Sequence, residues 1–383
     1  MKPLVAVDAG DPGEVLVALR GALSGGPAIL PFPAGAPPLS PPAEVEKRVA
    51  LVIETSGSTG RAKRVALSAG ALLAGAAAAD SALAGPGQWV LALPAHYVAG
   101  TNVLVRSIAA ETEPAILAPG HFDPSAFVEA AASLTHSVRY TSLVPAQLAT
   151  LLELAEAAPA SDACAVLRRF DAVLVGGQAT PQALLDQARA LGVRVVRTYG
   201  SSETSGGCVY DGVPVGQTRA EVGDGELLLT GPTLAEYYLA DPERTEAAFV
   251  VRDGARWYRT GDAGSIDADG VVTVTGRLDD VIVSGGLKVS LGVVERAVRD
   301  LPGMSSAVVV RAPSERWGEV PVVVAVAPRL SLAEVRAAVV PVAGRAGAPD
   351  SLLEVEALPL LPSGKPDRGG LERLAAERRA AHD

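Results

Sequence analysis

Apolar positions along this chain fall into short continuous runs separated by glycine, proline and small polar residues. Residues 48–54 (RVALVIE) form one such run, of strand length, which stops at Thr55-Ser56-Gly57-Ser58-Thr59-Gly60. Residues 68–84 have the alanine-rich composition of a buried helix, and Asp80 within them argues against a membrane span. Residues 88–93 predict a strand ending at Pro94. The proline-rich stretch 31–42 predicts an extended surface connection.

From Asp171 onward the spacing becomes regular. The run 172–175 predicts a strand, Gly176-Gly177-Gln178-Ala179 a loop, and Thr180-Pro181 a helix cap with proline at the first helical position. The helix runs to about Leu191, Gly192 ends it, and 193–198 is the next strand. Strand, helix and strand at this spacing make a βαβ unit in a parallel sheet. Residues 226–230, 271–275 and 281–283 read as shorter antiparallel strands between Gly and Asp turns. Beyond them, 293–299 and 332–339 predict helices, and 307–311 and 320–327 strands. The expected fold class is therefore α/β. A large N-terminal domain, 1–278, carries parallel βαβ sheets plus antiparallel strands, and a small α+β C-terminal domain, 279–383, follows it.

Composition narrows the function classes. With 383 residues, 49% hydrophobic and 20% charged, the chain can bury the cores of two domains. A net charge of −10 argues against a broad nucleic-acid platform. Two cysteines, Cys164 and Cys208, cannot build a disulfide framework or a Cys-rich zinc site. The opening MKPLVAVDAG reaches Asp8 before a secretory apolar core can form, so the expected location is cytoplasmic, without membrane insertion. Only five of the 33 basic residues are lysines, which draws attention to Lys63, Lys288 and Lys365.

The candidate chemistry lies in ordered motifs. In Thr55 to Lys63 (TSGSTGRAK), glycines allow close backbone approach, and hydroxyls with amides offer donors to phosphate oxygens. It is not a Walker loop, because Arg61 follows Gly60, and a flexible Ser/Gly turn also accounts for it. Tyr199-Gly200-Ser201-Ser202-Glu203-Thr204 sits at the C-terminal end of a predicted parallel strand, where open α/β sheets bind ligands. A glutamate there can hold Mg²⁺ and a tyrosine can stack on a base; a polar turn is the plain alternative. Asp262, after Tyr258-Arg259-Thr260-Gly261, suits ribose hydroxyls or a turn cap. Gly276-Arg277-Leu278-Asp279-Asp280, Ser284-Gly285-Gly286-Leu287-Lys288 and Pro362-Ser363-Gly364-Lys365-Pro366-Asp367-Arg368 complete the set.

In this order, TSGSTGRAK, YGSSET, YRTGD, GRLDD and PSGKPDR resemble the adenylate-forming superfamily of acyl-CoA synthetases, peptide-synthetase adenylation domains and luciferases. The resemblance spans about residues 50–370. Within it, the 54 residues before the phosphate loop are few for the family. That shortness and the string Ser142-Leu143-Val144-Pro145-Ala146-Gln147-Leu148 are similar to the 2-succinylbenzoate-CoA ligases of menaquinone biosynthesis, in their compact actinobacterial form. Leu104-Val105-Arg106-Ser107 is a weaker cue.

The resemblance implies two half-reactions, with ATP, Mg²⁺ and coenzyme A. A carboxylic acid is first joined to AMP with loss of pyrophosphate, and the CoA thiol then displaces AMP. It also implies the roles. Thr55, Ser56, Gly57, Ser58, Thr59, Gly60 and Lys63 would wrap the pyrophosphate end of ATP. Gly176, Gly177, Gln178 and Ala179 would flank adenine with Tyr199 against its ring, and Ser202 and Thr204 would complete the nucleotide site. Glu203 would ligate Mg²⁺, Asp262 the ribose with Arg277 beside it, and Lys365 would bridge the attacking carboxylate and the α-phosphate. Asp279 occupies the hinge of a mobile C-terminal domain, whose Ser284, Gly285 and Gly286 would line the CoA tunnel. Where the family's acyl-pocket motif reads His-Val-Ser-Gly or similar, this chain has Pro94-Ala95-His96-Tyr97-Val98-Ala99-Gly100, so either His96 or Tyr97 fills the aromatic position. An acid with a second carboxylate calls for a cation, with Arg106 and Arg139 as candidates. The partners implied are the acid, ATP and CoA, without nucleic acid, and a homodimer stays open. Another acyl or aryl acid, or a silent nucleotide-binding homologue, is the alternative; Glu203, Asp262, Arg277 and Lys365 together speak against silence.

Overall fold

The computed structural model describes residues 1–36, 41–55, 63–157, 162–361 and 365–380. It is a mixed α/β molecule with a large amino-terminal part and a smaller carboxy-terminal one. The first sheet has six strands, in the order Tyr237–Tyr238, Lys63–Ser68, Val49–Thr55, Ala28–Phe32, Lys2–Asp8 and Glu44–Val45. In the Val49–Thr55 strand, Val49 to Ile53 are fully buried, the unbroken apolar signature of a strand covered on both faces. The second sheet has seven strands, in the order Val213–Pro214, Gly206–Tyr210, Val195–Ser201, Ala172–Val175, Arg139–Leu143, Gln88–Leu91 and Ala115–Ile116. The five from Val195–Ser201 to Ala115–Ile116 run parallel, so their C-terminal ends share one edge.

Helices Pro12–Leu23, Ala69–Ala82 and Val98–Ala109 pack between these two sheets around Leu19, Leu51, Leu72, Trp89 and Leu104. Ser68 caps the alanine-rich helix by accepting from the Ala71 amide at 3.2 Å, and small side chains let that helix lie close to its neighbours. Helices Pro124–Ala132, Pro145–Ala157, Asp162–Leu167 and Gln182–Ala190 pack with Val173 and Val175 of the second sheet in a separate core.

A third, antiparallel sheet comprises Arg219–Gly223, Glu226–Thr230, Ala255–Ile266 and Phe249–Arg252, with Val272–Arg277 paired to Ala255–Ile266. The fourth sheet begins at Val281 and holds Leu287–Ser290, Val281–Ser284, Gly318–Val326, Val308–Ser314 and Ser351–Val355. Helices Leu291–Arg299 and Leu332–Ala343 pack with one set of its residues, and Arg368–Ala380 with another. Thus Arg277 closes one sheet and Val281 opens the next. Among the described residues, no helix is long and apolar enough to cross a membrane.

Several boundaries differ from the sequence reading. Pro31 and Phe32 end a strand rather than opening a surface connection, because the parallel ladder with Lys2–Asp8 continues through them. Residues 37–40 of that connection lie outside the described residues. Pro181, not Thr180, is the cap of the Gln182–Ala190 helix, with φ −59° and ψ 142°, an extended geometry that proline adopts readily. The strand expected at 193–198 begins at Val195 and runs to Ser201, since Tyr199 to Ser201 also pair antiparallel with Gly206–Tyr210.

Candidate active site

The segment from Thr55 to Lys63 joins two antiparallel strands, with Thr55 opposite Lys63. Ser56, Gly57, Ser58, Thr59 and Gly60 lie outside the described residues, so only the two anchors can be placed. Thr55 Oγ1 is buried and makes no hydrogen bond among the described residues. Lys63 Nζ donates to Glu203 Oε1.

Glu203 sits in the turn Ser202–Thr204, directly after the Val195–Ser201 strand, at the C-terminal edge of the parallel ladder. The turn is tight. A side chain at Gly200 would meet the Gly206 carbonyl at 2.1 Å. Thr204 Oγ1 donates to the Gly206 carbonyl at 2.7 Å and accepts from the Ser201 amide at 2.9 Å. The hydroxyl expected at the nucleotide thus serves the turn instead. Glu203 is 1% exposed, and Tyr238 Oη donates to its Oε1 at 2.7 Å. Burial alone would raise its pKa, but the Lys63 ammonium and the donors around it outweigh that and hold the carboxyl below its usual range.

Asp262 is positioned by the third sheet. Glu226 accepts from the Gly261 amide at 2.9 Å and from Arg259 Nη2 at 2.7 Å, which fixes the loop before it. Asp262 Oδ2 accepts from Tyr199 Oη at 2.6 Å, and Oδ1 from Arg277 Nη1 at 3.2 Å. Burial raises the Asp262 pKa, with Tyr199 and Arg277 opposing it. Arg277 also donates to Asp279 Oδ1 from Nε at 3.0 Å. Burial would lower the Arg277 pKa, but Asp279 and Asp262 reverse the direction and keep it protonated.

Lys365 lies between the strand Ser351–Val355 and the helix Arg368–Ala380 yet reaches this edge: a methyl at Gly177 would stand 3.9 Å from Lys365 Cε. Gly177 has φ +80°, a backbone glycine adopts freely. Gly176 has no room for a side chain, because a Cβ would meet Thr198 Oγ1 at 2.4 Å; that glycine serves strand packing. Gln178 is half-buried and Ala179 exposed on the same loop. Lys365 is an exposed residue whose stem extends to Gly177. Burial and the Lys63 charge lower its pKa, and Glu203 opposes them. Lys63, Glu203 and Lys365 therefore converge where parallel strands end, an arrangement that favours a polyanionic ligand.

His96 and Tyr97 follow the Gln88–Leu91 strand at the same edge, with ring centroids 4.1 Å apart. Burial lowers the His96 pKa, so its ring is neutral at pH 7, and raises that of Tyr97.

Other expected residues are not brought here. Arg139 opens its parallel strand, whose C-terminal end lies four residues on, about 13 Å away. It is at the wrong edge for a substrate cation. Arg106 lies two helical turns along Val98–Ala109, about 12 Å from its start. Its guanidinium stacks over Trp89 at 4.9 Å and donates to Tyr210 Oη at 3.1 Å inside the core. The demand of a second carboxylate for a cation carries no information on which end of an element faces the ligand. Arg106→Ala should therefore lower the melting temperature, with a stability loss of about 1–3 kcal/mol from the buried hydrogen bond and the ring contact, and leave KM for the acid unchanged. Ser284, Gly285 and Gly286 form the tip of a hairpin whose glycines have φ +57° and +81°, and Gly285 packs on Trp317, not on Glu203 or Lys365. Tyr238, which the sequence reading passed over, gave no signal beyond an aromatic pair after a Gly-Pro turn.

A model of the AMP-binding enzyme family matches residues 7–248, and one of the AMP-binding enzyme C-terminal domain matches 293–365. The chain is 41% identical over 341 residues to a probable 2-succinylbenzoate-CoA ligase of Mycobacterium tuberculosis, covering 87% of this chain and 86% of that one. Among solved structures, o-succinylbenzoate CoA synthetase (MenE) of Bacillus subtilis in complex with its acyl-adenylate intermediate aligns with TM-score 0.72 and 25% identity, covering 85% of this chain and 69% of that one. The amide bond synthetase McbA of Marinactinospora thermotolerans aligns with TM-score 0.76 and 25% identity, covering 98% and 80%. The fold alone thus does not select the acceptor.

Proposed function

Because the chain belongs to the AMP-binding enzyme family, we propose that it is an AMP-forming acid-thiol ligase. It adenylates 2-succinylbenzoate and transfers the acyl group to coenzyme A, a step of menaquinone biosynthesis. The observation that carries the chemistry is the convergence of Lys63, Glu203 and Lys365 beside the Gly177 loop. The observation that carries the substrate is the 41% identity across most of both chains.

In the first step a carboxylate oxygen attacks the α-phosphorus of ATP and pyrophosphate leaves. Both reactants are anions, so their approach is opposed unless cations lie between them. Lys365 contacts the attacking carboxylate and the α-phosphate, and Lys63 with the loop Ser56 to Gly60 takes the outer phosphates. Tyr199 stacks on adenine beside Gly177, while Asp262, aligned by Tyr199 and Arg277, accepts from the ribose hydroxyls.

The residues fit Mg²⁺. Glu203 is buried, ionised and already carries an ammonium on one oxygen. A single carboxylate beside phosphates is the kind of site from which Mg²⁺ would be held. Glu203 would hold the ion, which would supply charge neutralisation at the phosphates. In the second step the CoA sulfur attacks the acyl carbonyl carbon and AMP leaves. We propose that the part after Arg277 rotates about Asp279 between the steps, withdrawing Lys365 and bringing Ser284, Gly285 and Gly286 to the tunnel. With Arg106 and Arg139 elsewhere, His96 and Tyr97 are the donors for the second carboxylate. The need for ATP and CoA as co-substrates supports a cytoplasmic location.

The test is product identification by mass spectrometry after incubation with ATP, Mg²⁺, CoA and a panel of acids. The expected product is the mono-CoA thioester of 2-succinylbenzoate, formed with one equivalent of AMP. Thioesters of other acids only would overturn the substrate while leaving the reaction class.

A further inference from the structure

Glu203 is held from two directions, and only one of them is electrostatic. Lys63 Nζ and Tyr238 Oη both donate to Oε1, the tyrosine at 2.7 Å. The two donors come from neighbouring strands of the first sheet, where Tyr238 pairs with Val65, two residues from Lys63. The Lys63 ammonium accordingly lies 5.4 Å from the centre of the Tyr238 ring.

Tyr238 itself has little freedom. It is 4% exposed, its amide donates to Thr245 Oγ1 at 2.9 Å, and its ring packs 5.9 Å from that of Phe249. The segment leading to it is tied to the glutamate's own turn. The Ala235 amide donates to the Glu203 carbonyl at 2.8 Å, and Ser205 Oγ to the Thr233 carbonyl at 2.7 Å. A lysine on a flexible stem can swing away when phosphates arrive; a buried phenol in a sheet cannot.

We propose that Tyr238 is a positioning residue that fixes the rotamer of Glu203. Its hydroxyl holds Oε1 whether or not Lys63 stays, and so keeps the other oxygen, Oε2, turned toward the divalent cation. The inference rests on Glu203 as the metal ligand, as proposed above. Partners that orient a metal-bound carboxylate in this way change metal affinity by about 10- to 100-fold when removed.

The experiment is Mn²⁺ titration by electron paramagnetic resonance, with the full chain and the non-hydrolysable analogue α,β-methylene-ATP, so that binding is read without turnover. Glu203→Gln alone measures the ligand reading, and Mn²⁺ affinity should fall. Tyr238→Phe should weaken Mn²⁺ by about tenfold in the wild-type background and not further in the Glu203→Gln background. Damage to packing would act in both backgrounds, so the comparison holds even if Tyr238→Phe melts early. Wild-type Mn²⁺ affinity in Tyr238→Phe, or an equal loss in both backgrounds, would overturn the positioning role. Undiminished affinity in Glu203→Gln would overturn the ligand reading instead, and the positioning role with it.

Discussion

Lys365→Ala should slow acyl-adenylate formation by about a hundredfold or more while sparing thioester formation from supplied acyl-adenylate. The charge removed is the one that reaches the Gly177 loop from the far end of the chain. Lys63 does not replace it, because in the proposed reaction Lys63 serves the outer phosphates rather than the α-phosphate. Pyrophosphate release reports the first step and CoA thioester the second. Equal damage to both would show that this lysine is not confined to adenylation. The pH profile offers a second reading. The ammonium form is the active one, and burial together with Lys63 lowers the Lys365 pKa. The adenylation rate should therefore fall on the alkaline side at a pH below 10.5, the ordinary lysine value. In Lys365→Ala that alkaline limb should vanish from the residual rate.

How far such a site can be read beforehand depends on what local pattern encodes. The strands at Val49–Thr55 and Ala172–Val175 were legible because strands covered on both faces are apolar throughout. The Ala69–Ala82 helix was legible from its alanine-rich composition. Residues adjacent to strand ends, such as Glu203 and Gly177, were legible because sheet topology puts them at one edge. Arg106 and Arg139 show what a sequence leaves open: depth along an element, which decides which edge a side chain serves, is fixed only by the fold. Tyr238 was invisible because its partner is remote in sequence, and only the pairing of its short strand with Lys63–Ser68 brings it to Glu203. Thr204 shows the remaining difficulty. A hydroxyl in a nucleotide motif can be consumed by the turn that holds the motif together.

Asp279→Pro should do the converse of Lys365→Ala, sparing adenylation and reducing thioester formation by about a hundredfold. Asp279 lies between the last strand of the third sheet, ending at Arg277, and the first residue of the fourth, Val281. Its carbonyl accepts from Arg311 Nη2 at 2.6 Å and its carboxylate from Arg277. Among the described residues its amide donates no hydrogen bond, so proline removes none in the arrangement with Lys365 at the Gly177 loop. What proline does remove is rotation: its ring fixes φ near −65° and restricts Leu278 before it. Rotation of the carboxy-terminal part needs a large dihedral change at a few such positions. The substitution also deletes the carboxylate, so Asp279→Ala is the necessary comparison. That ion pair is about half exposed on both sides, with side-chain exposures of 46% and 56%, and such pairs contribute roughly 0–1 kcal/mol. Asp279→Ala should therefore keep thioester formation near the wild-type rate. If alanine and proline impair it equally, the carboxylate rather than the backbone is what the second step requires, and rotation about this residue is not the gate.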